Sequence, residues 1–345
     1  MNTKFGNDID LYLTDKTADE DRDYSYLHPS EFGNCPMQTW LKMTGAKQLV
    51  PFNSTQIRIF DNGHFIHLRN QVYAKQAGVL AKDRIVKKDD IIPIKIGLEE
   101  RNKIRIEGES GREYFYSPGE FMWKVENKKD ENLLYLGTDL APNWDIVENL
   151  KEGDEWWLVE VPVVNTEYHF GGHCDAIVID ENNEEVVIDY KGINDYSWPY
   201  IFYNKENAEE YLSNGRYKLK WPDSFNSCCF ICGENMKKAK ELSEHMNKNH
   251  LDEVNVDFKY KIQLHIYMMI LDLNNSILWY ENKNNQSVID AKVERDEKII
   301  SKIKKGSKML WDKIINNNNP DRPKGYNRKS FPCSYCDFSS QCWNI

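Results

Sequence analysis

No apolar run in this chain is long enough to cross a bilayer. The longest, Ile266-Tyr267-Met268-Met269-Ile270-Leu271, falls far short of the ~20 apolar residues that a membrane helix needs, so no membrane partner is expected. The opening Met1-Asn2-Thr3-Lys4-Phe5-Gly6 lacks a basic region followed by an apolar core, which argues against a secretory leader. A cytoplasmic setting is expected, or the host cytoplasm if the chain is phage-encoded. A positive charge balance is also missing: Lys+Arg 45 against Asp+Glu 55 gives a net charge of −10. That sign excludes a protein that coats a polyanion over its whole surface and confines nucleic-acid contact to local basic paths. Such paths stand late in the chain, at Lys298, Lys302, Lys304, Lys305 and Lys308, and again at Arg322, Lys324, Arg328 and Lys329. The same residues also read as a solvated helix face and a basic loop. Internal repeats are absent. The 8 cysteines in 345 residues are too few for a dense disulfide framework, and their metal-ligand spacings suit a reducing compartment.

What is present is enough to fold. A chain with 40% hydrophobic and 12% aromatic residues can build a substantial core, as one elaborated domain or two. Residues 1–27 read as a polar arm, with acidic residues crowded from Asp15 to Asp23. Residues 28–78 read as an N-terminal helical region and 79–155 as a β-rich elaboration. Core strands are predicted at Trp156 to Val164, Cys174 to Ile179 and Val186 to Tyr190. The core then spans 156–192 and 258–315, interrupted by an insertion at 193–257, and 316–345 form a C-terminal cysteine segment. Asn316 to Asn319 followed by Pro320 mark the end of the last long helix.

The chemistry concentrates on two strands. Side chains two apart in a strand share a face, so Asp189 and Lys191, closing the apolar run Glu185-Val186-Val187-Ile188, bring a carboxylate and an amine to one site. The turn Asp180-Glu181-Asn182-Asn183 folds the preceding strand, which starts at Gly172-His173-Cys174-Asp175, back beside Asp189. Two carboxylates placed this way can share a divalent ion, and hard oxygen ligands suit Mg2+ or Mn2+. Read alone, the same residues describe two acidic hairpin positions and a solvated lysine. More groups join them. His67, in the helical stretch that follows Phe60-Asp61-Asn62-Gly63, offers an imidazole ligand. Gln263 and Tyr267, four apart on a helix, share one of its faces.

In this order the motifs resemble the RecB-type branch of the PD-(D/E)XK nucleases, which includes AddB and the CRISPR-associated adaptation exonuclease, and the resemblance spans most of the chain. It implies an α/β restriction-endonuclease-like core with His67, Asp175 and Asp189 as metal ligands, Lys191 as the catalytic lysine, and Gln263 with Tyr267 as the helix pair. Glu160, in Trp157-Leu158-Val159-Glu160-Val161-Pro162, resembles the acidic residue that these nucleases carry one strand earlier; otherwise it is an ordinary strand-edge carboxylate. The implied activity is metal-dependent DNA exonuclease acting on single-stranded ends, in recombination, repair, CRISPR adaptation or phage DNA metabolism, with a protein partner in a recombination or adaptation complex. From another class, a catalytically inactive DNA-end-binding adaptor has the same site residues.

The cysteines form two further groups. Cys333-x2-Cys336-x5-Cys342 closes the chain and Cys35 stands near its start; four such thiols can hold zinc or an iron–sulfur cluster, and spacing alone does not choose. The nuclease resemblance implies a [4Fe–4S] clasp that ties the termini together. Separately, Cys229-x2-Cys232-x12-His245-x4-His250 fits a Cys2His2 zinc site, predicting a small inserted zinc-finger module at 229–250. Such a finger is either a Zn2+-held structural staple or a DNA contact. Cys174 reads as a buried strand residue.

Overall fold

The computed structural model describes residues 4–18, 25–46, 53–117, 150–195, 197–198, 202–203, 245, 253–254, 256–323 and 326–344. Four helices come first: α1 (Lys4–Ala18), α2 (Pro29–Phe32), α3 (Pro36–Met43) and α4 (Ser54–Gln76). Within residues 1–27, read as a polar arm, α1 forms a helix, and Arg58 of α4 pairs with its Asp10. The helical region read at 28–78 is broken between α2 and α3 because Pro36 has no amide hydrogen to continue a helix and suits only a first turn. α4 starts cleanly, with the Asn53 side chain accepting from Gln56 N at 2.9 Å and Gln56 Oε1 accepting from Asn53 N at 2.9 Å.

Two sheets follow. The first comprises β1 (Lys82–Ile96), β2 (Glu99–Gly108), β3 (Glu113–Tyr116) and β4 (Glu155–Trp157), in the order β3-β2-β1-β4. Trp156 was expected in a core strand and lies instead in β4, pairing with Asp83 of β1. Its buried ring meets the edge of Tyr114 at 5.2 Å, which seats this sheet's own core.

The second sheet carries the candidate site. It comprises β5 (Val159–Asn165), β6 (Phe170–Ile179), β7 (Glu185–Ile193), then β10 (Asn275–Asn282) and β11 (Val288–Glu294), in the order β11-β10-β7-β6-β5. The short pair β8 (Phe202–Tyr203) and β9 (Glu253–Val254) precedes α5 (Phe258–Leu271). Central β7 is antiparallel to β6 and parallel to β10. Such a strand is covered on both faces, which explains its continuous apolar run. Ala74 of α4 packs with Val186, Ile188 and Tyr190, while Leu264, Tyr267 and Met268 of α5 pack with Val187 and Ile177. The sheet thus lies between two helices.

The chain ends with α6 (Glu297–Ile315), α7 (Phe331–Ser334) and α8 (Ser339–Cys342). Ile300, Ile303, Leu310, Trp311 and Ile314 form the buried stripe of α6, at the three-and-four spacing of an amphipathic helix.

One buried carboxylate ties the first sheet together. Asp83 accepts from Tyr114 OH at 2.9 Å, Ser110 Oγ at 2.5 Å and the amides of Arg84 and Ser110 at 2.8 and 3.2 Å. A Cβ at Gly108 would stand 1.9 Å from Asp83 Oδ2. Gly108→Ala must therefore displace the carboxylate from these donors, and a loss of about 1–3 kcal/mol in urea unfolding is expected. An unchanged midpoint and slope would show that this network does not hold the sheet.

Candidate active site

The ladder between β6 and β7 runs from Ile179↔Glu185 to Ala176↔Ile188 and then stops. The amide of Tyr190, next in line for a backbone partner, is instead bound by the Asp175 side chain, with Tyr190 N donating to Asp175 Oδ2 at 2.6 Å. A carboxylate wedged into a ladder parts the two strands. Asp189 lies next to this gap on β7, and its side chain is 1% exposed.

Four neighbours hold the two carboxylates. Lys191 Nζ stands 2.5 Å from Asp189 Oδ2, a buried ion pair that occupies this oxygen. The other oxygen is satisfied: Gln263 Nε2 donates to Asp189 Oδ1 at 3.0 Å and to Tyr267 OH at 2.8 Å. Tyr267 OH in turn donates to the His173 carbonyl at 2.9 Å. His67 Nδ1 lies 3.3 Å from Asp175 Oδ1. The structure thus joins His67, Asp175, Asp189, Lys191, Gln263 and Tyr267 in one network, with α4 and α5 approaching from opposite faces.

The electrostatics separate the two carboxylates. Burial dominates at Asp189 and, despite Lys191, pushes its pKa up to about 6. Burial is the largest influence on Asp175 too, but His67, Lys191 and the Tyr190 amide together outweigh it and leave Asp175 below its ordinary value. At Lys191 burial favours the neutral amine, yet Asp189 and Asp175 prevail and raise its pKa. Lys191 is therefore a cation at neutral pH and can steady negative charge, but it cannot accept a proton. His67 is likewise raised, because the Asp175 carboxylate overcomes desolvation. The Tyr267 hydroxyl, pushed well upward by burial, stays a neutral donor.

Glu160 joins from the side. Val159 pairs with Ala176 and Val161 with Cys174, which sets Glu160 across from Asp175. Its φ of +45° is left-handed, which strains a residue with a Cβ by roughly 1–2 kcal/mol. Gln71, 1% exposed on α4, donates through Nε2 to Glu160 Oε1 at 2.9 Å and to the Asp175 carbonyl at 2.7 Å.

Several participants carry no recognisable sequence signal. Gln71 is one, although it follows His67 by one helical turn on the same face. Tyr260, whose ring centroid lies 5.3 Å from Lys191 Nζ, precedes Gln263 by three residues and could have been found by extending that helix face backwards. Glu281, 3% exposed and opposite Gly192 in the β7–β10 register, takes Arg69 and Asn70 as partners; nothing local marks it.

Among the described residues, no three His, Cys, Asp or Glu side chains converge as a ready-made ion cage. The donor set nonetheless suits a hard cation, because Asp189 Oδ2 is a buried carboxylate oxygen matched by the Lys191 ammonium, a cation whose place a bound ion would take. Cys35 caps the start of α3, while Cys333 and Cys342 lie in α7 and α8. Burial raises the Cys35 thiol, with smaller contributions from Cys342 and Cys333. Burial also raises Cys336, to which Cys35 and Cys333 add. Cys35, Cys336 and Cys342 pack against one core cluster with Trp40, Leu41 and Phe338, and with Cys333 they do not close into an ion cage. Cys174 is fully buried. The predicted finger lies outside the described residues at Cys229, Cys232 and His250; His245 alone is described, in a helical conformation. Of the basic positions, Lys304 and Lys308 flank the Tyr168 ring at 5.4 and 4.6 Å, and Lys324 lies outside the described residues.

No family model and no curated protein sequence matches the chain. Among solved structures, the crystal structure of SSO0001 aligns over 98% of this chain and 95% of its own at 13% identity, with a TM-score of 0.37. An alkaline exonuclease from Laribacter hongkongensis aligns over 57% of this chain and 69% of its own at 14% identity, TM-score 0.23. A phage-related exonuclease from Haemophilus somnus 129PT covers 59% of this chain and 76% of its own at 14% identity, TM-score 0.23. These are weak neighbours, and the reading of the site rests on its own geometry.

The divided electrostatics can be measured directly. In metal-free protein, carboxyl NMR should show Asp189 titrating near 6 and Asp175 below the ordinary aspartate range. Because the folded pKa of Asp189 exceeds its unfolded value, the stability that this group contributes is greatest below the unfolded value of 3.8 and is lost as pH rises through about 6. An Asp189 midpoint near 3.8 would contradict the burial argument.

Proposed function

We propose that this protein is a metal-dependent DNA nuclease, an exonuclease acting on single-stranded ends. The observation that carries the proposal is the pairing, at a parted β6–β7 ladder, of Asp175 with a buried Asp189 whose Oδ2 is matched by the Lys191 ammonium. Asp175, Asp189 and His67 are the groups that would hold Mg2+ or Mn2+, with Glu160 beside them. When bound, the ion supplies Lewis acidity toward a phosphodiester and makes water acidic near neutral pH. The protein's own part is electrostatic and positional. Lys191, held protonated by the carboxylates, stabilises negative charge on the attacked phosphate. Gln263 and Tyr267 anchor Asp189 to the β6 backbone, so the carboxylate cannot swing away.

At the termini we assign Cys35, Cys333, Cys336 and Cys342 to a [4Fe–4S] cluster and Cys229, Cys232, His245 and His250 to Zn2+. The packing of Cys35, Cys336 and Cys342 against one core cluster supports the first assignment, and ligand spacing supports the second.

End-labelled linear single-stranded DNA with Mn2+ tests the central proposal. Wild type should degrade it and spare closed circles, while Lys191→Ala, folded and still binding DNA, should lose at least a hundredfold in rate, as expected when a charge acting on the transition state is removed. Equal cutting by the variant would sink the assignment, and binding without turnover in wild type would favour the end-binding adaptor. A second test concerns the clasp: anaerobically purified protein should contain iron and acid-labile sulfide together with separate zinc, and Cys342→Ser should lose the iron and its solubility, because the clasp closes a loop of almost the whole chain. Zinc without iron would contradict the cluster.

A further inference from the structure

Glu160 and Gln71 together do something that neither explains alone. In a regular strand, residues two apart face the same way. Along β5, however, Val159 packs in the layer of α4 whereas Val161 packs in the layer of α5; along β6, Ala176 packs with α4 whereas Cys174 packs with α5. Both strands change face at the residue between, Glu160 in one and Asp175 in the other, and these two stand across from each other in the ladder. The left-handed φ of Glu160 is the backbone signature of that change. Glycine would adopt this conformation without strain, yet the chain has a glutamate there, so the side chain must repay its backbone.

Among the described residues, the donor that meets the Glu160 carboxylate is Gln71. Its one amide nitrogen has two hydrogens, directed to Glu160 Oε1 at 2.9 Å and to the Asp175 carbonyl at 2.7 Å. A single buried side chain from α4 therefore holds both strands at the point where they switch faces, one turn of helix beyond His67. A buried amide is costly unless bonded, and here it is spent on the backbone of one carboxylate residue and the side chain of another.

We infer that Gln71 is a positioning residue that holds Glu160 across from Asp175, from where its carboxylate would join the two aspartates when an ion binds. The inference rests on the nuclease reading for the identity of that ion site, but its test does not require cleavage. The shape of the amide matters: methionine keeps the volume and loses both donors, and glutamate sets a second carboxylate against Glu160.

The experiment measures Mn2+ affinity calorimetrically on the full protein without DNA, for wild type, Gln71→Met, Gln71→Glu, Glu160→Gln and the Gln71→Met/Glu160→Gln double variant, with thermal unfolding of each. Gln71→Met is expected to weaken Mn2+ about 10–100-fold, as outer partners of metal ligands do, and Gln71→Glu at least as much. The double variant should bind no more weakly than Glu160→Gln, because Gln71 acts through Glu160. If Gln71→Met unfolds the protein, the single variant Glu160→Gln decides: it must lose Mn2+ affinity while remaining folded. Unchanged Mn2+ affinity in folded Gln71→Met, additive losses in the double variant, or unchanged affinity in Glu160→Gln would each overturn the inference. A protein that binds Mn2+ with this pattern but cuts no DNA would overturn the nuclease reading and leave the inference standing.

Discussion

Burying an aspartate at the centre of a five-stranded sheet is the constraint on which the rest of this structure depends. An ionised carboxylate removed from water is tolerated only when paired and hydrogen-bonded. Asp189 is supplied on both sides, by the Lys191 cation and by the chain of bonds through Gln263 and Tyr267 to the backbone of β6. α5 lies over β7 partly to deliver that amide. Burial, with the neighbouring Asp175 charge, still raises the pKa of Asp189 although Lys191 lowers it.

A second constraint follows from the first. Two carboxylates near each other repel, and the protein separates their behaviour by separating their surroundings. Asp175 is placed against His67 and takes the Tyr190 amide, so it ionises readily although buried. Asp189 has the lysine but more desolvation. Taking the Tyr190 amide away from the ladder also parts β6 from β7, so one interaction adjusts a charge and opens the sheet. Both α4, through His67 and Gln71, and α5, through Gln263, then bridge the opening.

Much of this was legible in the chain because strands and helices have fixed periods. The two-residue spacing of Asp189 and Lys191 and the four-residue spacing of Gln263 and Tyr267 brought each pair to one place, and the Asp180 turn set β6 beside β7. What could not be read depends on contacts between distant segments. Gln71 and Glu281 are unremarkable in their own neighbourhoods and acquire meaning only when α4 packs on the sheet. Trp156 was assigned to the wrong sheet because an apolar, β-favouring run continues through Leu158, and periodicity does not show where a strand leaves one sheet for another. α1 lies within the stretch that reads as a polar arm, and its tie to α4, Arg58 on Asp10, joins segments far apart in the chain.

The central claim is that the Asp175–Asp189 pair is a metal centre, and the most direct measurement is anomalous X-ray diffraction from crystals soaked in Mn2+. The account requires a manganese peak beside Asp189 Oδ2 and the Asp175 carboxylate, with Lys191 Nζ moved off Asp189, and no peak there in Asp189→Asn. A fully soaked crystal with Lys191 still against Asp189 and manganese absent from this site, or bound elsewhere, would contradict it.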